Sequence, residues 1–242
     1  MQSAYPIVDL TKPLSSTTTP QTIYPGDPTF HIEQHASVAK DGYSVHSIHL
    51  GTHTGTHVDA PCHFIEGARS IDQIDLDELV GKACIVHLRQ NLSPRQKLSW
   101  DDLEGAFNGS LDEALTSGKY KMLLVNGNWA PEDPRAFFDH PYFSCDIARK
   151  LLSFGIRLFG TDYPNPDETP METSEGVTVG GSDGYTFHET FLGGGGLIVE
   201  SLAQLDLLNL GDAEWIVSII PLKLAGADGS PVRAFAQRGH WN

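Results

Sequence analysis

At 242 residues and 40% hydrophobic content, the chain can form one large domain or two small ones around a buried core. Its 31 acidic against 16 basic residues leave a formal charge of −15, which opposes binding to nucleic acid or an anionic membrane. Three cysteines, Cys62, Cys84 and Cys145, form no CxxC pair and leave an odd thiol, so a secreted disulfide framework is not expected.

Residues 1–6 have neither a basic nor an apolar targeting region, and no apolar run reaches membrane-span length, so a cytoplasmic protein is expected. Residues 7–10 read as a short strand and 15–20 as a polar loop rich in breakers. Tyr24-Pro25-Gly26-Asp27-Pro28 is a turn by its chemistry, because proline fixes φ and glycine supplies a positive one. Residues 43–50 alternate enough to form a strand leading into the densest histidine cluster of the chain.

Five of the eleven histidines, at 46, 49, 53, 57 and 63, fall between Val45 and Phe64. Within His53-Thr54-Gly55-Thr56-His57-Val58-Asp59-Ala60-Pro61-Cys62-His63-Phe64, positions 53, 57, 59 and 63 are all odd. On an extended chain residues of one parity share a face, so three imidazoles and a carboxylate could converge. A helix would put Asp59 roughly 200° round from His57, and Gly55, Pro61 and the threonines disfavour one. Neutral imidazole with carboxylate is a donor set for zinc or manganese. Each histidine alone reads more readily as a surface or hydrogen-bonded residue; the cluster makes His53, His57 and Asp59 candidate metal ligands. His46 and His49 fall outside the set. The even parity of Cys62 makes it structural.

Residues 76–80 suggest a short helix and 83–88 a buried strand. Ser99 is a candidate N-cap for a helix beginning with Trp100-Asp101-Asp102, and 111–117 suggest another. Residues 122–126 form a second buried strand, ending at Gly127-Asn128-Trp129. Ligands gather at the C-terminal ends of strands in α/β proteins, which makes Asn128 and Trp129 pocket candidates. Residues 146–154 are the strongest helix, preceded by Ser144 and ended by Gly155. The strand 156–160 follows, and Asp162 just past its end either lines a site or caps a loop. Residues 163–186, rich in proline and glycine, read as a long loop of the kind that forms lids. It contains Gly180-Gly181-Ser182-Asp183-Gly184, a formal G-x-S-x-G. That motif needs a buried strand before it and a helix after it, whereas residues 177–179 are short and 185–187 read extended, so Ser182 is not taken as a nucleophile. Four glycines at 193–196 disfavour helix and permit close backbone approach. Glu200 then interrupts an apolar run, where a carboxylate needs a charge partner or a metal. Residues 215–220 read as a central strand. Nothing divides the chain, so one α/β domain covering 1–242 is expected.

The string His53-x-Gly55-Thr56-His57-x-Asp59-x-Pro61-x-His63 resembles the signature of the cyclase-like metal hydrolases, which include bacterial kynurenine formamidases and isatin hydrolases. The likeness runs along nearly the whole chain. Tyr24-Pro25-Gly26-Asp27 resembles the family's aromatic-Pro-Gly-Asp loop, in which the aromatic lines the substrate pocket; formamidases usually carry Trp there. Gly160-Thr161-Asp162, with Pro164 and Asp167, resembles its Gly-x-Asp segment. His188 followed by Glu200 resembles its second pair of metal ligands, and Pro221-Leu222 with Gly229-Ser230-Pro231-Val232-Arg233 its C-terminal segment.

The resemblance implies a swivelling β/β/α-type fold with a mixed central sheet, in a homodimer or a higher homo-oligomer such as a tetramer. It implies one or two Zn2+ or Mn2+ ions per chain, with His53, His57 and Asp59 as the first ligand set. Asp59 would bridge to a second set, His188 and Glu200, because a carboxylate has two oxygens. The implied activity is hydrolysis of a formyl-amide or lactam of an aromatic small molecule, with His63 as general base and then acid. Two alternatives share the residues: a cyclase or dehydratase acting on an enolisable small molecule, and a non-catalytic metal-binding protein, against which His63 beyond the ligand set speaks.

Overall fold

The computed structural model describes residues 7–15, 23–88, 92–129, 134–172, 176–208 and 214–238. The expected polar loop at 15–20 lies outside these residues from position 16 onward. After β1 (Ile7–Asp9), an arm is formed by β2 (His31–Ala36), the one-turn α1 (Val38–Asp41) and β3 (Val45–His49). Among the described residues β2 and β3 pair only with each other, so the strand expected at 43–50 leads into the histidine stretch from outside the main sheet. β4 (His57–Asp59), α2 (Leu76–Leu79) and β5 (Val80–His87) return the chain to the body. The elements β6 (Lys97–Leu98), α3 (Trp100–Ala106), α4 (Leu111–Thr116), β7 (Met122–Asn126), β8 (Tyr142–Phe143), α5 (Cys145–Ser153) and β9 (Leu158–Thr161) follow. A small hairpin, β10 (Met171–Glu172) with β11 (Thr178–Val179), precedes α6 (Thr186–Gly193), β12 (Leu197–Glu200), β13 (Trp215–Pro221) and β14 (Gly229–Arg238).

The main sheet runs β14-β13-β5-β7-β9-β12-β4 and closes through a β4–β14 pairing, giving a seven-stranded barrel with β1 added on β14. β5, β7, β9 and β12 are mutually parallel, and the other neighbours pair antiparallel. The expected single α/β domain with a mixed central sheet is what forms. Strand periodicity divides the core in two. Ala83, Ile85, Met122, Leu124, Leu158, Leu197 and Val199 point to one cluster, together with Val58, Val217 and Ala234. Their alternates Cys84, Val86, Leu123, Val125, Phe159 and Ile198 meet Leu103, Leu111, Ile147, Leu151, Phe187 and Phe191 from the helices. Strands buried on both faces read as unbroken apolar runs, which is why β7 was legible to the residue.

The segment 163–186 departs from the lid expectation. Residues 163–169 are buried, and the last residue of the segment, Thr186, already belongs to α6. Residues 185–187, expected as extended, are the cap and first turn of that helix, because Asp167 accepts hydrogen bonds from the backbone N–H groups of Phe187 and His188 at 2.8 and 3.1 Å. A carboxylate at a helix N-terminus satisfies orphan donors and opposes the dipole, and this one arrives from twenty residues away. Ser182 lies exposed between the two-residue β11 and α6, with no buried strand before it, so it remains excluded as a nucleophile. The four glycines close the connection between α6 and β12. A Cβ at Gly194 would stand 2.4 Å from Leu152 and one at Gly196 2.6 Å from the Phe191 ring.

Candidate metal centre

β4 puts His57 and Asp59 on its outer face, while Val58 between them enters the inner core. On β12, Glu200 lies opposite His57 in register and projects to the same face. α6 packs over that face and supplies His188. His57 Nε2 is 3.3 Å from Asp59 Oδ1 and 3.4 Å from Glu200 Oε2. His188 Nε2 is 3.2 Å from Glu200 Oε1 and 3.5 Å from Asp59 Oδ2. His53 Nδ1 closes the group at 2.8 Å from Asp59 Oδ1. Asp59 thus stands between the two expected sets, one oxygen toward His53 and His57 and the other toward His188.

Parity accounts for only part of this convergence. The strand covers 57–59 alone. His53 arrives through a turn in which Gly55 has φ +69° and a Cβ would stand 2.5 Å from Leu14. His63 arrives on a 3-10 turn, Pro61–His63, not along an extended chain.

Asp59 and Glu200 are 1% and 6% exposed. Burial opposes ionisation of both carboxylates, yet the imidazoles hold their pKa values below the ordinary range. Burial also opposes the His57 imidazolium, but Asp59 and Glu200 outweigh it and raise its pKa to about 10. Two buried carboxylates at this spacing require positive charge, from protons or from a cation. Asp59 Oδ2 is buried without a hydrogen-bond partner. That orphaned oxygen, facing His188 among imidazole and carboxylate donors, fits a divalent ion. His53, His57 and Asp59 can each offer one atom to a shared ion, and so can Asp59, His63 and His188.

The second ring nitrogens are also held. His188 Nδ1 donates to Asp167 Oδ2 at 2.7 Å, and His57 Nδ1 to the Gly55 carbonyl at 2.8 Å. These contacts orient each Nε2 toward the carboxylates, as outer partners of metal-ligating histidines do. Such partners are not legible as a group in the sequence; Asp167 stands out there only as part of the segment that resembles the family's.

The donors open into a cavity of about 270 Å³, also lined by Tyr24, Asp27, His63, Phe64, Pro164, Asn165 and Tyr185. Tyr24 sits at the start of a tight turn in which the Asp27 N–H donates to the Tyr24 carbonyl at 3.0 Å. Its hydroxyl is 2.9 Å from that of Tyr185. Phe64 stacks on His188 with centroids 4.8 Å apart. Tyr185 and Phe64 were missed, since neither stands out from other aromatics in the sequence.

Asp162 and Trp129 do not line this cavity. Asp162 accepts the Gly127 N–H at 2.7 Å and ties two strand ends together. Trp129 donates its indole N–H to the Phe137 carbonyl at 3.1 Å and packs against the helix-side core. Asn128 is exposed at φ +51°. The strand-end rule pointed to Asn128 and Trp129, and Asp162 takes its loop-capping alternative; the barrel closes around β4 and shifts the opening toward β4, β12 and α6.

Residues 8–168 match the family described as "Putative cyclase". A kynurenine formamidase of Geobacillus thermodenitrificans is 34% identical over 216 residues, covering 88% of this chain and 89% of its own. One from Bacillus cereus is 29% identical over 230 residues, covering 94% and 95%. Among solved structures, isatin hydrolase A from Labrenzia aggregata bound to benzyl benzoate superposes with TM-score 0.75 at 24% identity, over 96% of this chain and 93% of that one. A potential metal-dependent hydrolase with cyclase activity gives TM-score 0.63 at 22% identity, over 98% and 100%. These likenesses establish the same fold.

Proposed function

The chain belongs to the cyclase family, and from that premise we propose that it is a metal-dependent hydrolase of an amide or cyclic amide carried by an aromatic small molecule. The observation that carries this reading is the convergence of His53, His57, Asp59, His188 and Glu200 beneath a cavity that His63 also faces. His53, His57 and Asp59 would hold one Zn2+ or Mn2+ ion, and His188 and Glu200, with Asp59 shared, a second. When bound, such an ion supplies Lewis-acid polarisation of the scissile carbonyl and acidifies a water. His63 does the proton work. Burial holds its pKa below the ordinary histidine range, so at neutral pH it is uncharged and ready to accept a proton. It takes a proton from the attacking water and returns one to the leaving nitrogen. Phe64, Tyr24 and Tyr185 offer aromatic walls to a flat substrate.

Turnover assays with an N-formyl arylamine, an isatin-type lactam and an enolisable polyketide test the reading. Release of formate or ring-opened acid is expected. Turnover of the polyketide alone, to a cyclised or dehydrated product, overturns it in favour of cyclisation.

Glu200→Gln is expected to lower metal content by about one ion per chain, since the amide keeps the shape but loses the charge that offsets a divalent cation. A wild type with one ion would retain Glu200 as a ligand and remove Asp59 as a bridge. Unchanged metal content and rate would make Glu200 a core carboxylate.

A single catalytic domain over 1–242, a cytoplasmic location and no nucleic-acid or membrane partner belong to the same proposal. They are supported by the −15 charge and by the free thiols of Cys62, Cys84 and Cys145. Among the described residues no helix is long and apolar enough to cross a membrane. A homodimer or tetramer is supported by the β2–β3 arm, where Ile32, Tyr43, Val45 and Ile48 are all exposed. Light scattering tests it, and a monomer would remove it.

A further inference from the structure

We infer that Asp228 is a positioning residue that ties the metal-ligand shell to His63 and fixes the tautomer in which His63 works. This rests on the hydrolase reading above. Asp228 lies directly before β14, and its Oδ1 accepts the Thr52 hydroxyl at 2.9 Å, which fixes the plane of the carboxylate. The other oxygen, Oδ2, is shared by two rings: His53 Nε2 at 3.0 Å and His63 Nδ1 at 3.3 Å. Those two rings lie 4.0 Å apart at 30°.

His53 meets Asp59 through its opposite nitrogen, Nδ1. Asp228 therefore does for His53 what Asp167 does for His188 and the Gly55 carbonyl for His57, and each ring is aimed by an acceptor on its far side. On His63 the same acceptor has a different consequence. A carboxylate at Nδ1 requires the proton there, which leaves Nε2 bare. His63 lines the cavity, so a bare Nε2 is the atom that can receive a proton from the reacting water. Asp228 sits only partly buried, 41% exposed at the side chain. Its removal thus leaves the buried core intact.

The test compares Asp228→Ala and Asp228→Asn with wild type in the zinc-loaded full-length chain. Asp228→Ala is expected to lower kcat about 10- to 100-fold at saturating zinc, with KM nearly unchanged. Asp228→Asn is expected to recover part of it, because its amide oxygen can still accept one ring N–H. The separating readout is the ¹⁵N signature of His63, which should move from Nδ1–H with bare Nε2 in wild type toward Nε2–H in the alanine variant. A purely structural role would leave that signature in place. Retention of the Nδ1–H tautomer in the alanine variant overturns the inference, and so does wild-type kcat in both variants while His63→Ala is inactive. If His63→Ala is also fully active, it is the hydrolase mechanism that falls instead.

Discussion

His57→Ala is expected to lose bound metal and activity together. His57 is 4% exposed, and its Nε2 faces both Asp59 and Glu200. Like His188, it is therefore an imidazole that meets both carboxylates. Removing it deprives the first site of one of three ligands and leaves two buried carboxylates with less compensating charge. Gly55 loses the ring that its carbonyl orients, but the turn itself depends on glycine's positive φ and should persist. Elemental analysis of the purified variant checks the assignment: metal at the wild-type level would show that His57 is not a ligand.

His63→Ala separates chemistry from metal binding. Its kcat should fall by about 10² to 10⁴, equivalent to roughly 3–5 kcal/mol of barrier, while metal occupancy stays near that of wild type. The expectation follows from its placement, because His63 faces the cavity and its Nδ1 is directed to Asp228, not to the Asp59–Glu200 pair. Loss of metal together with rate would make it a ligand, consistent with its closeness to Asp59 and His188. An unchanged kcat would remove it from the mechanism. Together the two histidine variants distinguish a metal ligand from a proton carrier.

The local elements were legible because their signals are local. Met122–Asn126 was readable as an apolar run, and the helix at Cys145–Ser153 from Ser144 before it and Gly155 after it. His57 and Asp59 share a face because the side-chain period of a strand is two, and the sequence alone determined that. Their spacing with His53 and His63 also marks the cluster, in the sequence alone, as a candidate cation site. The sequence determined neither the closing of the sheet nor the routes by which His53 and His63 reach the site. Those depend on a positive-φ glycine packed against Leu14 and on a 3-10 turn. Only the tertiary structure brought Glu200 opposite His57, through the β12–β4 pairing, and laid His188 over both through α6. It also placed Asp162 and Trp129 outside the cavity lining, and it brought up Asp167, Tyr185 and Asp228 from remote segments. The reason is physical. A ligand set within one short segment is constrained by the covalent chain, whereas the groups that orient those ligands are chosen by barrel closure and helix packing, which no local pattern records.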